Sequence, residues 1–370
     1  MKKILAISGD LGSGGAERVL VNLLNHLSKN DDYKVDLLLV RNDEMSFMPM
    51  LSTNVKVQTL GFGKGESFRK PKIAKLIAKI VSIKPDVLFV NNNFVAAFIS
   101  LFGLLFKSLN IKVVWRLTLL HSVNCVGSKA LHKSLFKIFS RTFDLIITQS
   151  QDMTDDLLKN WSVKQSNVVQ INNPVDIDKV TKMANEVSEI SMDNDCKNYV
   201  MAGRLLHQKG YDILIDRLSK FESPIKYCIY IMGKGPKKEI LDEMIETNGL
   251  DDKVKLLGFQ ANPYSVMAQS DGFILSSRHE GFPNVLLEAN ALGIPVFSNR
   301  CPGGINEIVV DGVNGLTCDM QNQDDFNKSF AQFMTMSFDS QKIVESVETR
   351  YSFEVILPQY DNVFNRLLRI

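Results

Sequence analysis

The chain is short of cysteine and of long apolar runs, and both shortages narrow what it can be. Five cysteines (125, 196, 228, 301 and 318) are scattered over 370 residues, an odd number with no Cys-x-x-Cys pair. That pattern argues against a disulfide framework and against a zinc site, and fits reduced thiols in the cytoplasm. The longest near-apolar stretch, Phe94 to Phe106, is too short to span a bilayer. The apolar part of Met1–Ser8 is only a few residues long, so it reads as a strand entering a glycine loop, not as a signal peptide. Internal repeats and low-complexity tracts are missing. So is any interleaving of aromatic and basic residues or any recognised nucleic-acid module, and nucleic acid is therefore not an expected partner.

What is present suits two packed cores. An apolar fraction of 45% in 370 residues fits two domains of about 150–200 residues each. Net charge is only +2, but it is unevenly spread: residues 1–172 hold 23 Lys+Arg against 13 Asp+Glu, and residues 173–370 hold 20 against 28. The N-terminal half is thus expected to face something anionic. Two basic amphipathic helices stand out. One carries Lys129, Lys133, Lys137 and Arg141 every four residues, with Leu131, Leu135, Phe136, Ile138 and Phe139 interleaved. The other, Lys70 to Lys84, sets Ile73, Leu76, Ile77, Ile80 and Val81 against Lys70, Lys72, Lys75 and Lys79. Such helices either lie in the interface of an anionic bilayer or pack their apolar side on the protein's own core.

Short β-rich runs alternate with helical ones, the pattern of parallel βαβ units. Ile4–Ser8, Val35–Val40, Val87–Val90, Lys112–Trp115, Leu145–Thr148 and Val168–Ile171 form a first series. Tyr199–Ala202, Tyr227–Met232, Val254–Leu257, Phe273–Ser276 and Pro295–Ser298 form a second. Between them lie Asn172-Asn173-Pro174-Val175-Asp176 and a polar, strandless stretch to about Lys197. The fold class expected is therefore α/β, with two doubly wound domains at 1–172 and 173–352. An amphipathic helix at about 353–370 is expected to pack back on the first domain.

The chemistry gathers at the strand ends, where open parallel sheets bind ligands. Glu280 falls just after an apolar strand and Glu288 about one turn into the next helix, joined through Gly281-Phe282-Pro283-Asn284. Pro283 suits a helix start because its missing N–H would be unsatisfied there anyway. A strand–turn–helix of this kind offers free N–H groups to an anion, while ionised carboxylates accept from hydroxyls. Phosphate flanked by hydroxyl-rich groups describes a sugar nucleotide. Gly203-Arg204-Leu205 with Gln208-Lys209-Gly210 occupies a second strand-to-helix junction, where Arg204 can fork onto phosphate oxygens and Lys209 can add a point charge. Gly233-Lys234-Gly235-Pro236 and Pro302-Gly303-Gly304 repeat the strand–glycine–helix pattern. Gly14 and Gly15, in Gly12-Ser13-Gly14-Gly15-Ala16-Glu17, either approach a ligand or make a tight turn. They fail a dinucleotide fingerprint because Glu17 stands where its third glycine belongs, and Arg41 after the second strand leaves only an NADP variant of that reading.

Together these segments resemble the retaining GT-B glycosyltransferases of family 4 over most of the chain. Gly14-Gly15-Ala16-Glu17, Asn173-Pro174-Val175-Asp176, Gly203-Arg204-Leu205, Gly233-Lys234-Gly235-Pro236, Leu257-Gly258-Phe259, Glu280-x7-Glu288 and Gly303-Gly304 follow the family order and spacing. The resemblance implies two Rossmann-like domains facing a central cleft, the first for the acceptor and the second for the nucleotide-sugar donor. It assigns Arg204 and Lys209 to the donor diphosphate, Glu288 to the ribose hydroxyls and Glu280 to the donor sugar. Gly203, Gly233 and the Gly281, Phe282, Pro283, Asn284 turn would line the donor, and Gly14 and Gly15 would approach its diphosphate. His121 stands where family members often carry a histidine near the sugar, with Arg116 from the same loop as an alternative and a packing role open for either. Arg278 and His279 are either cleft-lining or structural. The implied reaction is transfer of a hexose or N-acetylhexosamine from a UDP-linked donor to a lipid-diphosphate-linked glycan in bacterial surface polysaccharide synthesis. It would proceed by front-face displacement on a cytoplasmic protein held peripherally at an anionic membrane. No cofactor and no metal are expected: Asp176-x-Asp178 and Asp193-x-Asp195 have Asp-x-Asp spacing but sit around the hinge. The rivals are a GT-B sugar-nucleotide epimerase, an NADP oxidoreductase and a silent binding subunit.

Overall fold

Short apolar runs build two all-parallel sheets in a computed structural model that describes residues 1–12, 14–63, 70–123, 136 and 138–369. The first contains β1 (Lys2–Ser8), β2 (Tyr33–Arg41), β3 (Lys56–Phe62), β4 (Val87–Val90), β5 (Lys112–Arg116), β6 (Leu145–Thr148) and β7 (Val168–Gln170), in the order β3-β2-β1-β4-β5-β6-β7. The second contains β8 (Lys197–Ala202), β9 (Tyr227–Met232), β10 (Val254–Gly258), β11 (Gly272–Leu275), β12 (Val296–Asn299) and β13 (Gly315–Cys318), in the order β10-β9-β8-β11-β12-β13. Strands such as β4 and β9 are buried along their whole length, as a parallel sheet covered on both faces requires. Strand order reverses between β1 and β4 in one sheet and between β8 and β11 in the other. Adjacent loops diverge at such a switch point and leave a crevice beyond the strand ends.

The strand series expected from sequence is present, with two additions at sheet edges. β3 was hidden because Lys56, Gln58 and Thr59 dilute its apolar run, and only Leu60 and Phe62 are buried. β13 is four residues long and pairs with β12 alone. Within the polar link after Asn173, Ile177–Ala184 is a helix whose first turn is capped by the Asp176 carboxylate, accepting from the Lys179 N–H at 3.1 Å.

Packing divides the chain into two units: residues 1–173 with 356–370, and residues 174–355. The end of helix Phe353–Leu368 thus belongs to the first unit, and side chains of both kinds hold it there. Phe364 is fully buried, with its ring edge-on to Tyr33 (6.4 Å) and Phe89 (5.9 Å). Asp361 meets the His26 ring at 2.7 Å, and the Tyr33 hydroxyl donates to Asn365.

Helix Lys70–Ile83 decides between its two readings. Leu76, Ile77 and Ile80 are buried in the first unit's core with Ile73 and Val81 packed against it, so the apolar side is already occupied. The bilayer reading of this helix is corrected accordingly. Lys75 donates to the Leu60 carbonyl, and Lys72 and Lys75 lie over the Phe62 ring. Lys129, Lys133 and Lys137 of the other basic helix, with Leu131 and Leu135, lie outside the described residues; Arg141 and Ile138 are exposed, while Phe136 packs on Trp115.

Removing the Phe364 ring leaves a cavity against Tyr33 and Phe89. Phe364→Ala is expected to lower stability by about 3–5 kcal/mol, read as an earlier urea transition that leaves the second unit's transition in place.

Candidate donor site of the second unit

Two loops meet at the switch point of the second sheet. One, residues 203–210, leaves β8 and enters helix Tyr211–Leu218; the other, residues 276–283, leaves β11 and enters helix Asn284–Ala291. Backbone and side-chain bonds zip them together. Arg278 N–H donates to the Gln208 carbonyl (2.8 Å), Gln208 Nε2 to the His279 carbonyl (3.0 Å) and Ser276 Oγ to the Lys209 carbonyl (2.9 Å).

Glycines permit this closeness. Gly210 has φ +65°, and a Cβ there would sit 2.0 Å from the Ser276 carbonyl oxygen. Gly233, at φ +156°, brings the next loop against Gly203, where a Cβ would lie 1.9 Å from the Gly203 oxygen. From behind, Gly303 (φ +129°) backs onto the Glu280 carbonyl, and Gly304 fits under the Phe282 ring. The sequence reading gave Gly203 and Gly233 to the ligand; in the fold Gly233 and Gly303 let backbone meet backbone.

Lys209 and Glu280 come together at the centre. Lys209 Nζ lies 2.7 Å from Glu280 Oε1, which also accepts from Ser277 Oγ at 2.6 Å. The Glu280 side chain is 8% exposed and that of Lys209 18%. An ion pair this dry is retained only with further hydrogen-bonding support, of which Ser277 supplies one bond. Lys209 keeps further N–H donors and Glu280 keeps Oε2 as an acceptor. Arg204 is exposed, with no carboxylate paired to it among the described residues. Glu288 is buried in helix Asn284–Ala291, while Asn284 opens that helix directly after Pro283. Gly281 and Pro283 are buried, and Phe282 stacks edge-on with Tyr351 (5.5 Å).

Of the two residues left open by sequence, Arg278 takes a structural place. Arg278 forks onto both oxygens of Asp212 (2.8 and 2.7 Å) and bonds the His207 carbonyl. Burial alone would raise the Asp212 carboxyl, but the hydrogen bonds and charge of Arg278 outweigh it and hold Asp212 below the usual range. His279 is pushed below its ordinary value of 6.5 by burial, against the opposing pull of Glu280. Ser277, Ser276 and Asp212 were not singled out from sequence, and Gln208 was quoted only within its motif. Each is a common polar residue whose partner lies some 3 to 71 positions away, so only the fold reveals the pairing.

In the first unit, Gly14 precedes helix Gly15–Leu27 with φ −80°, a conformation open to any residue. Arg41 is ion-paired with Asp10, so the charge an NADP 2′-phosphate would need is already engaged. His121 lies in an aromatic cage, 4.2 Å from the Phe136 ring, 4.4 Å from Trp161 and 5.9 Å from Trp115. Arg116 is buried at the end of β5, where it donates to Asn91 (2.7 Å) and Asn173 (2.6 Å).

Comparison with known proteins converges on one family. Residues 185–350 match the family model "Glycosyl transferases group 1", and residues 13–179 match "Glycosyltransferase Family 4". A Campylobacter jejuni relative, N-acetylgalactosamine-N,N'-diacetylbacillosaminyl-diphospho-undecaprenol 4-alpha-N-acetylgalactosaminyltransferase, is 29% identical over 91% of this chain and 90% of its own length. The Escherichia coli O-antigen biosynthesis glycosyltransferase WclY is 31% identical over 46% of this chain and 48% of its own. Among solved structures, the Anabaena protein HepE in complex with UDP-glucose superposes with a TM-score of 0.76 at 21% identity, covering 99% of this chain and 100% of its own.

Gly303→Ala is expected to destabilise the second unit well beyond Gly312→Ala. Both have positive φ, costing about 1–2 kcal/mol, but only Gly303 meets backbone, and urea unfolding of the two variants measures the difference. For His279 the sign is set by a folded pKa below the unfolded one. Its contribution is complete above about pH 6.5 and is lost as pH falls through that range toward the folded pKa. NMR titration should place its midpoint below 6.5, and His279→Gln should flatten this limb of the stability–pH curve.

Proposed function

The chain belongs to the group 1, family 4 glycosyltransferases, and from that premise we propose that it moves a hexose or N-acetylhexosamine from a UDP-linked donor onto a lipid-diphosphate-linked glycan, with retention and without a metal. The observation that carries the reading is the Lys209–Glu280 pair at the switch point, on the same two loops as Arg204 and the start of the helix that holds Glu288. Breaking the sugar–phosphate bond leaves negative charge on the departing UDP. In this reading Arg204 and the remaining donors of Lys209 stabilise that charge as it develops. Glu280 Oε2 accepts from a hydroxyl of the donor sugar, and Glu288 accepts from the ribose. The acceptor hydroxyl attacks the anomeric carbon on the face the phosphate leaves, and the departing phosphate oxygen takes its proton.

Support for each finer element is of a different kind. For UDP it is the Anabaena structure, which shares the fold and holds UDP-glucose; for a lipid-linked acceptor it is the Campylobacter relative. Metal independence draws on the cations Arg204 and Lys209 and on the places of the Asp-x-Asp pairs: Asp176 caps a helix, and Asp193 and Asp195 precede β8, whereas the Lys209–Glu280 loops follow strand ends. For a peripheral place at the cytoplasmic face of a membrane, the support is the basic first half together with the exposed Phe94, Leu101, Leu104, Leu105 and Leu109 around Lys107. Among the described residues no helix is long and apolar enough to cross a membrane.

A thermal-shift screen with UDP, GDP, UDP-sugars and NADP⁺, with and without EDTA, tests the donor. Stabilisation by one UDP-sugar, indifferent to EDTA and lost in Glu288→Ala, is expected; a shift with NADP⁺ alone would overturn the reading. Lys209→Met should lower kcat by about 10²–10³-fold in a UDP-release assay. Vesicle flotation should favour anionic lipid and weaken in Leu101→Asp/Leu104→Asp.

A further inference from the structure

Thirty-one residues separate Cys196 from Cys228 in sequence, and the second sheet closes that gap. β8 and β9 are neighbours with Asn198 opposite Cys228, so the chain just before β8 lies beside the start of β9. Asp193 completes a group of three: one of its carboxylate oxygens and the two sulfurs all lie within 4.8 Å of one another. Cys196 Sγ is 3.3 Å from Asp193 Oδ2. Tetrahedral zinc, with sulfur at about 2.3 Å and carboxylate oxygen at about 2.1 Å, sets those two ligands roughly 3.5 Å apart. The existing separation already approaches that value.

The loop carrying Asp193 and Cys196 is held in shape from several sides. Asp193 Oδ1 accepts from the Asp195 N–H (2.9 Å), and the Asp193 N–H donates to the Tyr230 hydroxyl (3.1 Å). Asn198, only 6% exposed, donates its amide to the carbonyls of Asp193 (2.7 Å) and Cys196 (3.2 Å) and keeps an Oδ1 without a partner among the described residues. Burial is graded from exposed Asp193 through half-buried Cys196 to buried Cys228, which gives an ion a way in from solvent. All of this sits where β8 and β9 begin. The Lys209–Glu280 loops follow β8 and β11, at the opposite ends of the strands of the same sheet.

We propose that Asp193, Cys196 and Cys228 form a binding site for a thiophilic divalent cation of the Zn²⁺ type, with water as the fourth ligand, pinning the entry of β8 to β9. Two thiols and a carboxylate select such a cation over Mg²⁺ or Ca²⁺, which take oxygen ligands. Each thiol that coordinates gives up its proton to solvent, so uptake is favoured by rising pH.

The test uses the full chain, reduced with a phosphine in metal-free buffer and titrated with Cd²⁺ as the spectroscopic probe. A sulfur-to-metal charge-transfer band saturating at one equivalent, with a rise in Tm and displacement by Zn²⁺, is expected. Cys196→Ser, at the half-buried position, should abolish the band and the Tm rise. Asp193→Asn should weaken binding by about tenfold or more, and Cys301→Ser should leave it intact. A band that survives in Cys196→Ser would overturn the proposal. So would the lack of any band in a wild-type protein shown by circular dichroism to be folded, or mild peroxide oxidation that joins Cys196 to Cys228 in a protein that takes up no Cd²⁺.

Discussion

Lys209 reaches Glu280 across the point where the second sheet reverses its strand order, and this dry ion pair constrains its surroundings. Taking two charges out of water costs several kcal/mol per ion, so the pair persists only where geometry is fixed and further bonds are supplied. Ser277 provides one such bond, and the Gln208–His279, Ser276–Lys209 and Arg278–Gln208 contacts fix the geometry. Those contacts in turn require two backbones to approach more closely than any side chain allows. Gly210 and Gly303 are consequences of that demand, as is the left-handed or extended positive-φ backbone that each adopts.

Much of this was legible in the sequence because it depends on local rules. Alternating apolar runs gave the two βαβ series, and the acid–turn–acid segment with its proline placed Glu280 before a helix and Glu288 within it. What escaped notice depends on partners brought together from afar. Nothing in the residues around Lys209 says that its ammonium meets Glu280 rather than solvent, and nothing around Asp212 announces Arg278. The edge strands β3 and β13 were missed for a related reason: a strand with one neighbour needs less apolar surface, so its pattern is weak. The basic helix Lys70–Ile83 shows the converse, where a clear amphipathic pattern had two physical outcomes and core packing of Leu76 and Ile80 chose one.

Cysteine spacing along the chain and cysteine spacing in the fold differ. A search for paired cysteines close in sequence sees none, whereas adjacent parallel strands bring distant positions side by side as a matter of topology. Asp193 had been weighed only as half of an Asp-x-Asp pair. Its neighbours in space, not in sequence, give it a second chemical reading.

The first unit is discontinuous: it takes in residues 1–173 and then 356–370. A ribosome making this chain releases β1 to β7 and then the whole of the second unit before Asp361, Phe364 and Asn365 appear. Until then Tyr33 and Phe89 lack the ring that packs on them, and His26 lacks its carboxylate. The second unit, continuous in sequence, can therefore finish folding during synthesis while the first waits for residues 356–370. A unit completed only by residues 356–370 makes early termination self-limiting, since a product that stops before helix Phe353–Leu368 leaves that unit incompletely packed and open to proteolysis.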